Sequence, residues 1–136
     1  MSLDANKAVV KQVLEGFNAR SWDAVRELYS PDYVNHNGPP DLTPDRDGQL
    51  EAMNGLVASF PDAEVEATHV VAEGDLTVVR DVLRGTHQGE FAGTAATGEA
   101  VSIEFIHVYR IVDGQIRERW GLLDALGLMQ QIGAIS

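Results

Sequence analysis

The apolar residues of this chain change their spacing once, near residue 63, and that change restricts the possible folds more than any other feature. Before it the spacing is helical: Val9, Val10, Val13, Leu14 and Phe17 fall on one face, with Lys7, Lys11, Gln12 and Glu15 on the other. This predicts an amphipathic helix ending near Arg20. Ser21 is suited to cap a second, short helix whose inner face is Trp22, Val25, Leu28 and Tyr29, with Pro31 as its stop. Asp32 to Asn37 is extended in character and runs into Gly38-Pro39-Pro40, which places His36 at a strand-to-loop junction. Thr43-Pro44-Asp45 reads as N-cap, first-turn proline and an acid at the positive helix end. Leu50, Met53, Val57 and Phe60 form the stripe of that third helix, which Pro61 ends.

From Ala63 the period is two, which predicts strands over 63–72, 76–87, 101–112 and 115–124. Glu73-Gly74-Asp75 joins the first pair. Asp113-Gly114 joins the last and favours a type I′ hairpin, because both central residues need positive φ. Gln88 to Ala100, with three glycines, is a longer loop or a bent strand. Helices first and an antiparallel meander afterwards predict an α+β fold, a curved sheet with helices packed on it that can enclose a pocket.

A chain of 136 residues is expected to form one domain, 1–136, with a packed core. Its net charge of -11, with no stripe of Lys and Arg, argues against nucleic acid and anionic membrane as partners. The absence of cysteine excludes disulfides and thiolate chemistry and fits a reducing compartment, so a cytoplasmic protein is expected. No basic segment followed by an apolar stretch opens the chain, and nowhere do 18 apolar residues run together.

Within Val101 to Val112, His107 shares its face with Ile103, Phe105, Tyr109 and Ile111, while Ser102, Glu104 and Arg110 lie on the more polar side. Across the Asp113-Gly114 turn, strict alternation puts Ile116, Glu118, Trp120, Leu122 and Asp124 together, so His107 and Asp124 can converge on one apolar surface. That pair suits proton abstraction next to a carbonyl: a desolvated carboxylate takes the proton and a hydrogen-bond donor holds the enolate oxygen. No metal or organic cofactor is needed. A second reading stays open, in which His107 is a satisfied core histidine and Asp124 only caps the tail helix.

His36, flanked by Tyr33, Asn35 and Asn37, is a candidate polar wall of the pocket or a solvated loop residue. His87 either reaches the pocket mouth or occupies a turn. Arg80 is either a buried counter-ion for Glu118 or Asp124, or an exposed partner of Asp81. His69 points inward unless a bulge before Gly74 reverses it. Four scattered histidines make no metal motif, and neither a phosphate-binding loop nor a serine nucleophile elbow occurs.

Pro31 to Asn37, Ala72 to Asp75, Arg84 to Phe91, Tyr109 to Ile116 and above all Trp120 to Gly133 resemble the SnoaL-like polyketide cyclase group of the nuclear transport factor 2-like superfamily. The resemblance implies a cone-shaped α+β barrel, its curved antiparallel sheet wrapped around the N-terminal helices. It also implies a homodimer through the outer face of the sheet, and ring closure of an apolar carbonyl compound by intramolecular aldol condensation without cofactors. In such enzymes an aspartate matching Asp124 looks like the acid/base and a sheet histidine resembling His107 assists. With Tyr33, His36, Arg80, His87 and Trp120 these make the candidate site. The chain departs from the family pattern at Ala95 to Gly98, where a proline is often found, and at Gly121, where some relatives carry an acid. The superfamily also holds isomerases, dehydratases, hydrolases and non-catalytic binders, so a binding module or an isomerase or hydrolase using the same pocket is the alternative.

Overall fold

The computed structural model describes residues 2–135. Helix α1 (Leu3–Ala19) buries Val9, Val10, Val13 and Phe17 and ends where Arg20 turns left-handed at φ 59°. Helix α2 (Trp22–Glu27) buries Val25, and β1 (Tyr29–Asn35) follows. Tyr29 and Pro31 therefore belong to a strand rather than to the second helix and its stop. The proline is tolerated because β1 is an edge strand with ladder bonds to spare. Helix α3 (Arg46–Ser59) is capped by Asp45 rather than Thr43. The Asp45 carboxylate accepts from the Gly48 N–H while the Thr43 hydroxyl donates to it.

The meander forms as the period-two pattern predicts: β2 (Glu64–Glu73), β3 (Leu76–Thr86), β4 (Ala100–Val112) and β5 (Gln115–Leu123), then helix α4 (Ala125–Gln131). Asp113 and Gly114 take φ of 52° and 78°, as a type I′ turn requires. The five strands make one curved, open sheet in the order β1-β5-β4-β3-β2, so the cone does not close into a barrel. The sheet is also not wholly antiparallel. β1 pairs with β5 in parallel, a geometry available because α3 and three strands separate the two in sequence.

The concave face packs on α1 and α3. Val79, Leu83, Ile103, Phe105, Tyr109, Ile111 and Ile116 from the sheet meet Val10, Val13, Phe17, Leu50 and Met53 from the helices. Past the end of β5, α4 and the residue that caps it seat Leu128 and Ile132 in this core. The Gln131 side chain accepts from Ser102 N–H and donates to Ser102 C=O, standing in for a neighbouring strand. Among the described residues, no helix is long and apolar enough to cross a membrane.

Two register shifts decide which side chains face inward. One, between Ala67 and His69 in β2, turns His69 out to solvent. The other is in the β4–β5 hairpin, where Ile111 pairs with Ile116 but Arg110 pairs with Glu118, leaving Arg117 as the extra residue of a bulge. Beyond it the parity of β5 is reversed. Arg119 and Gly121 now stand opposite Tyr109 and His107, and Trp120 and Leu122 stand opposite Val108 and Ile106 on the convex face.

Candidate active site

Strand alternation and the bulge bring five polar side chains to one concave cavity of about 70 Å3: Asp81 from β3, His107 and Tyr109 from β4, Arg119 from β5 and Gln49 from α3. Its apolar walls include Phe17, Met53, Leu83 and Phe105. A larger open groove of about 550 Å3 runs between α1 and β2 beside it, and Leu14 and Val65 line both spaces.

The polar groups form a chain of contacts. The Arg119 guanidinium donates to His107 Nδ1 from Nε at 3.2 Å and lies 3.0 Å away through its second nitrogen. Its remaining nitrogen donates to Asn35 Oδ1 at 3.2 Å. Asn35 in turn donates to Gln49 Oε1, which also accepts from the Tyr33 hydroxyl at 2.9 Å. On the other side of the ring, His107 Nε2 faces Asp81 Oδ1 at 3.4 Å. Since arginine can only donate, Nδ1 accepts. The proton of a neutral His107 therefore sits on Nε2, directed at the Asp81 carboxylate.

Electrostatics agree with that assignment. Burial holds the His107 pKa below its ordinary value, and the Arg119 charge pushes the same way against the opposing pull of Asp81. Burial pushes Tyr33 and Tyr29 well above the usual phenol range and Tyr109 up to about 12, so all three keep their protons at neutral pH. Asp81 is the carboxylate in this enclosure. It is only 2 % exposed, and its Oδ1 has no hydrogen-bond partner.

The other sequence candidates are placed elsewhere, Tyr33 excepted, which reaches the site through Gln49. Asp124 does not close β5. The strand ends at Leu123, and Asp124 is exposed as the N-cap of α4, its carboxylate accepting from Gly127 N–H at 2.9 Å. Trp120 lies on the convex face, with the His36 ring stacked on it at 4.7 Å, and His36 Nε2 is 3.8 Å from Glu118. Both were displaced from the pocket by the bulge and by the parity of β1, where Tyr33 and Asn35 point in and Val34 points out. Arg80 pairs with Glu104 and Thr68 on the outer face, not with Asp81, Glu118 or Asp124. His87 is fully buried outside the cavity, against Phe60 and within 2.9 Å of the Thr97 hydroxyl.

Three members of the network escaped the sequence reading. Asp81 had a signal, since it alternates with Val79 and Leu83 on an inner face. Arg119 had none, because the Arg117 bulge is not written in any residue pattern. Gln49 lies on the turn of α3 next to Leu50, where only packing decides what it meets. Among the described residues, no three acids or histidines converge as a metal site.

Comparison with known proteins adds an independent line. Residues 7–132 match the family described as SnoaL-like polyketide cyclase. The chain is 33% identical to the aklanonic acid methyl ester cyclase AcmA of Streptomyces galilaeus over 93% of its own length and 89% of the relative's. It is 32% identical to the aklanonic acid methyl ester cyclase DnrD of Streptomyces peucetius, covering 92% and 88%. Among solved structures, IdmH of Streptomyces antibioticus, a candidate polyketide cyclase, superposes with a TM-score of 0.83 at 32% identity, covering 94% and 98%. AclR of Streptomyces galilaeus, a candidate hydroxylase, superposes with a TM-score of 0.89 at 28% identity, covering 99% and 100%.

Proposed function

The chain belongs to the SnoaL-like polyketide cyclase family and is an enzyme, and from that premise we propose that it closes a ring in a polyketide by intramolecular aldol condensation, with Asp81 as the acid/base. The observation that carries this reading is the buried, partly unpartnered Asp81 carboxylate in the concave cavity, facing the Nε2–H of His107. Asp81 takes a proton from a carbon next to a carbonyl, and the C–H electron pair becomes the enolate. The enolate carbon attacks a second carbonyl of the same molecule, forming the ring C–C bond. The resulting alkoxide takes the proton back from Asp81. The Arg119 charge stabilises the enolate oxygen as it develops, and His107, its Nδ1 held by Arg119 and its Nε2–H turned toward Asp81, orients Asp81 rather than contacting substrate.

A cavity of about 70 Å3 admits only the reacting end of such a molecule. Its apolar body rests in the adjoining groove between α1 and β2, past Leu14 and Val65. Asp124 is the competing base, and the two acids are told apart by one assay. With aklanonic acid methyl ester as probe, Asp81→Asn lowers turnover about 10²-fold or more, whereas Asp124→Asn retains it. Loss of turnover on changing Asp124 alone would reverse the assignment.

The enzyme acts as a homodimer through the convex face. Val34, Ile106, Trp120 and Leu122 make an apolar patch across β1, β4 and β5, with Leu122 72 % and Ile106 51 % exposed. A patch of paired apolar side chains on a solvent face marks an association surface. Leu122→Asp is expected to yield a monomer in sedimentation velocity with an unchanged circular dichroism spectrum, and a monomeric wild type would refute the dimer.

A further inference from the structure

Gly121 stands in the middle of β5, opposite His107, where glycine weakens a strand. Its φ is not in the left-handed region, so backbone conformation does not call for glycine here. Space does. A Cβ at this position would lie 2.6 Å from the Arg119 terminal nitrogen, 2.7 Å from its guanidinium carbon and 2.9 Å from His107 Nδ1. All three atoms belong to the contact that joins Arg119 to His107.

We propose that Gly121 is a positioning residue of the active site: its missing side chain is the slot that lets the Arg119 guanidinium fold back against His107 Nδ1, fixing the imidazole as the Nε2–H tautomer that faces Asp81. Arg119 and His107 flank Gly121 on the same concave surface, Arg119 two residues before it along β5 and His107 across the ladder. The guanidinium reaches the ring only by lying over residue 121. Asn37 Oδ1 accepts the Gly121 N–H at 2.9 Å, so the backbone there is already tied and cannot retreat to make room for a side chain. With any Cβ present, the group that yields is the flexible end of Arg119. His107 then loses its donor at Nδ1, and that nitrogen is free to take a second proton while Nε2–H still faces Asp81. The charged groups facing the ring are Asp81 from β3 and Arg119 from β5, so displacing the arginine leaves the carboxylate as the sole charged neighbour.

The inference deepens the reading of Asp81 as the acid/base that His107 orients, and its test reads the imidazole directly, so it stands or falls separately from turnover. The protein is labelled with ¹⁵N-histidine, and the His107 resonances are identified by their loss in His107→Gln. The wild type is expected to show widely separated Nδ1 and Nε2 shifts, the signature of one tautomer. Gly121→Ala and Arg119→Ala should each collapse that separation to a similar degree, and the double variant should go no further than either. Wild-type histidine shifts in Gly121→Ala, or in Arg119→Ala, would overturn the proposal. So would failure of Gly121→Ala to fold, because the obstructing atoms are side-chain ends rather than backbone.

Discussion

The two faces of the sheet carry the same kinds of residue to opposite ends. On the concave face Asp81, His107 and Arg119 are joined in a chain with Asn35, Gln49 and Tyr33, walled by apolar side chains. On the convex face Arg110 is shared by Asp75 and Glu118, Arg80 pairs with Glu104, and His36 stacks on Trp120 beside Glu118. The convex pairs are a third or more exposed on both partners, whereas Asp81 and His107 are nearly sealed. Charge interactions strengthen as water is excluded, and so does the penalty for leaving a charge unpaired. The same kinds of pair that stay open to water on the outer face therefore act in a nearly sealed space on the inner one, where burial holds the His107 pKa down.

The contrast can be broken in graded steps. Removing the inner cation should cost most: Arg119→Met leaves His107 Nδ1 and Asn35 Oδ1 without their buried donor and is expected to lower stability by about 3 kcal/mol in urea denaturation. A loss equal to that of an outer-face variant would deny the inner network its special character. Next comes acid. Because the folded His107 pKa lies below the ordinary 6.5, the unfolded chain binds more protons between the two values. Its contribution to stability is thus complete above pH 6.5 and falls as pH drops through the interval, with a slope of at most about 1.4 kcal/mol per pH unit. Melting temperatures from pH 7.5 to 5 should fall more steeply for the wild type than for His107→Gln, and parallel curves would contradict this.

Tyr33→Phe tests the far end of the chain. It removes one buried hydrogen bond to Gln49 and should cost about 1 kcal/mol. The smallest effect is expected outside. In the monomeric Leu122→Asp protein, Glu104→Gln, which breaks the pair with Arg80, should change stability by about 0.5 kcal/mol or less, and by less still at high salt. A larger change there would mean that exposure does not separate the two faces.

How much of this was legible beforehand varies residue by residue. The alternation around His107 placed it on the inner face correctly, because β4 runs from Ala100 to Val112 without interruption. The same rule applied to β5 failed at Arg117, where one extra residue exchanged Arg119 for Trp120 inside the cavity. Arg80 and Asp81 show the limit from another side: adjacent residues in a strand must point oppositely, so only one could line the cavity, and Val78 and Val82 flank Arg80 just as Val79 and Leu83 flank Asp81. For Asp124 the helix-capping reading describes the observed contact, since Gly127 N–H meets its carboxylate.

By itself the sequence determined the order and type of the elements, the Asp113-Gly114 hairpin and the family. Those follow from local periodicity, turn chemistry and residue motifs, which act over a few neighbours. Tertiary structure decided which acid sits with His107, that β1 joins β5 in parallel, and that Arg119 reaches the ring across Gly121. Each of these depends on register between strands distant in sequence, where a single bulged residue moves every following side chain to the opposite face.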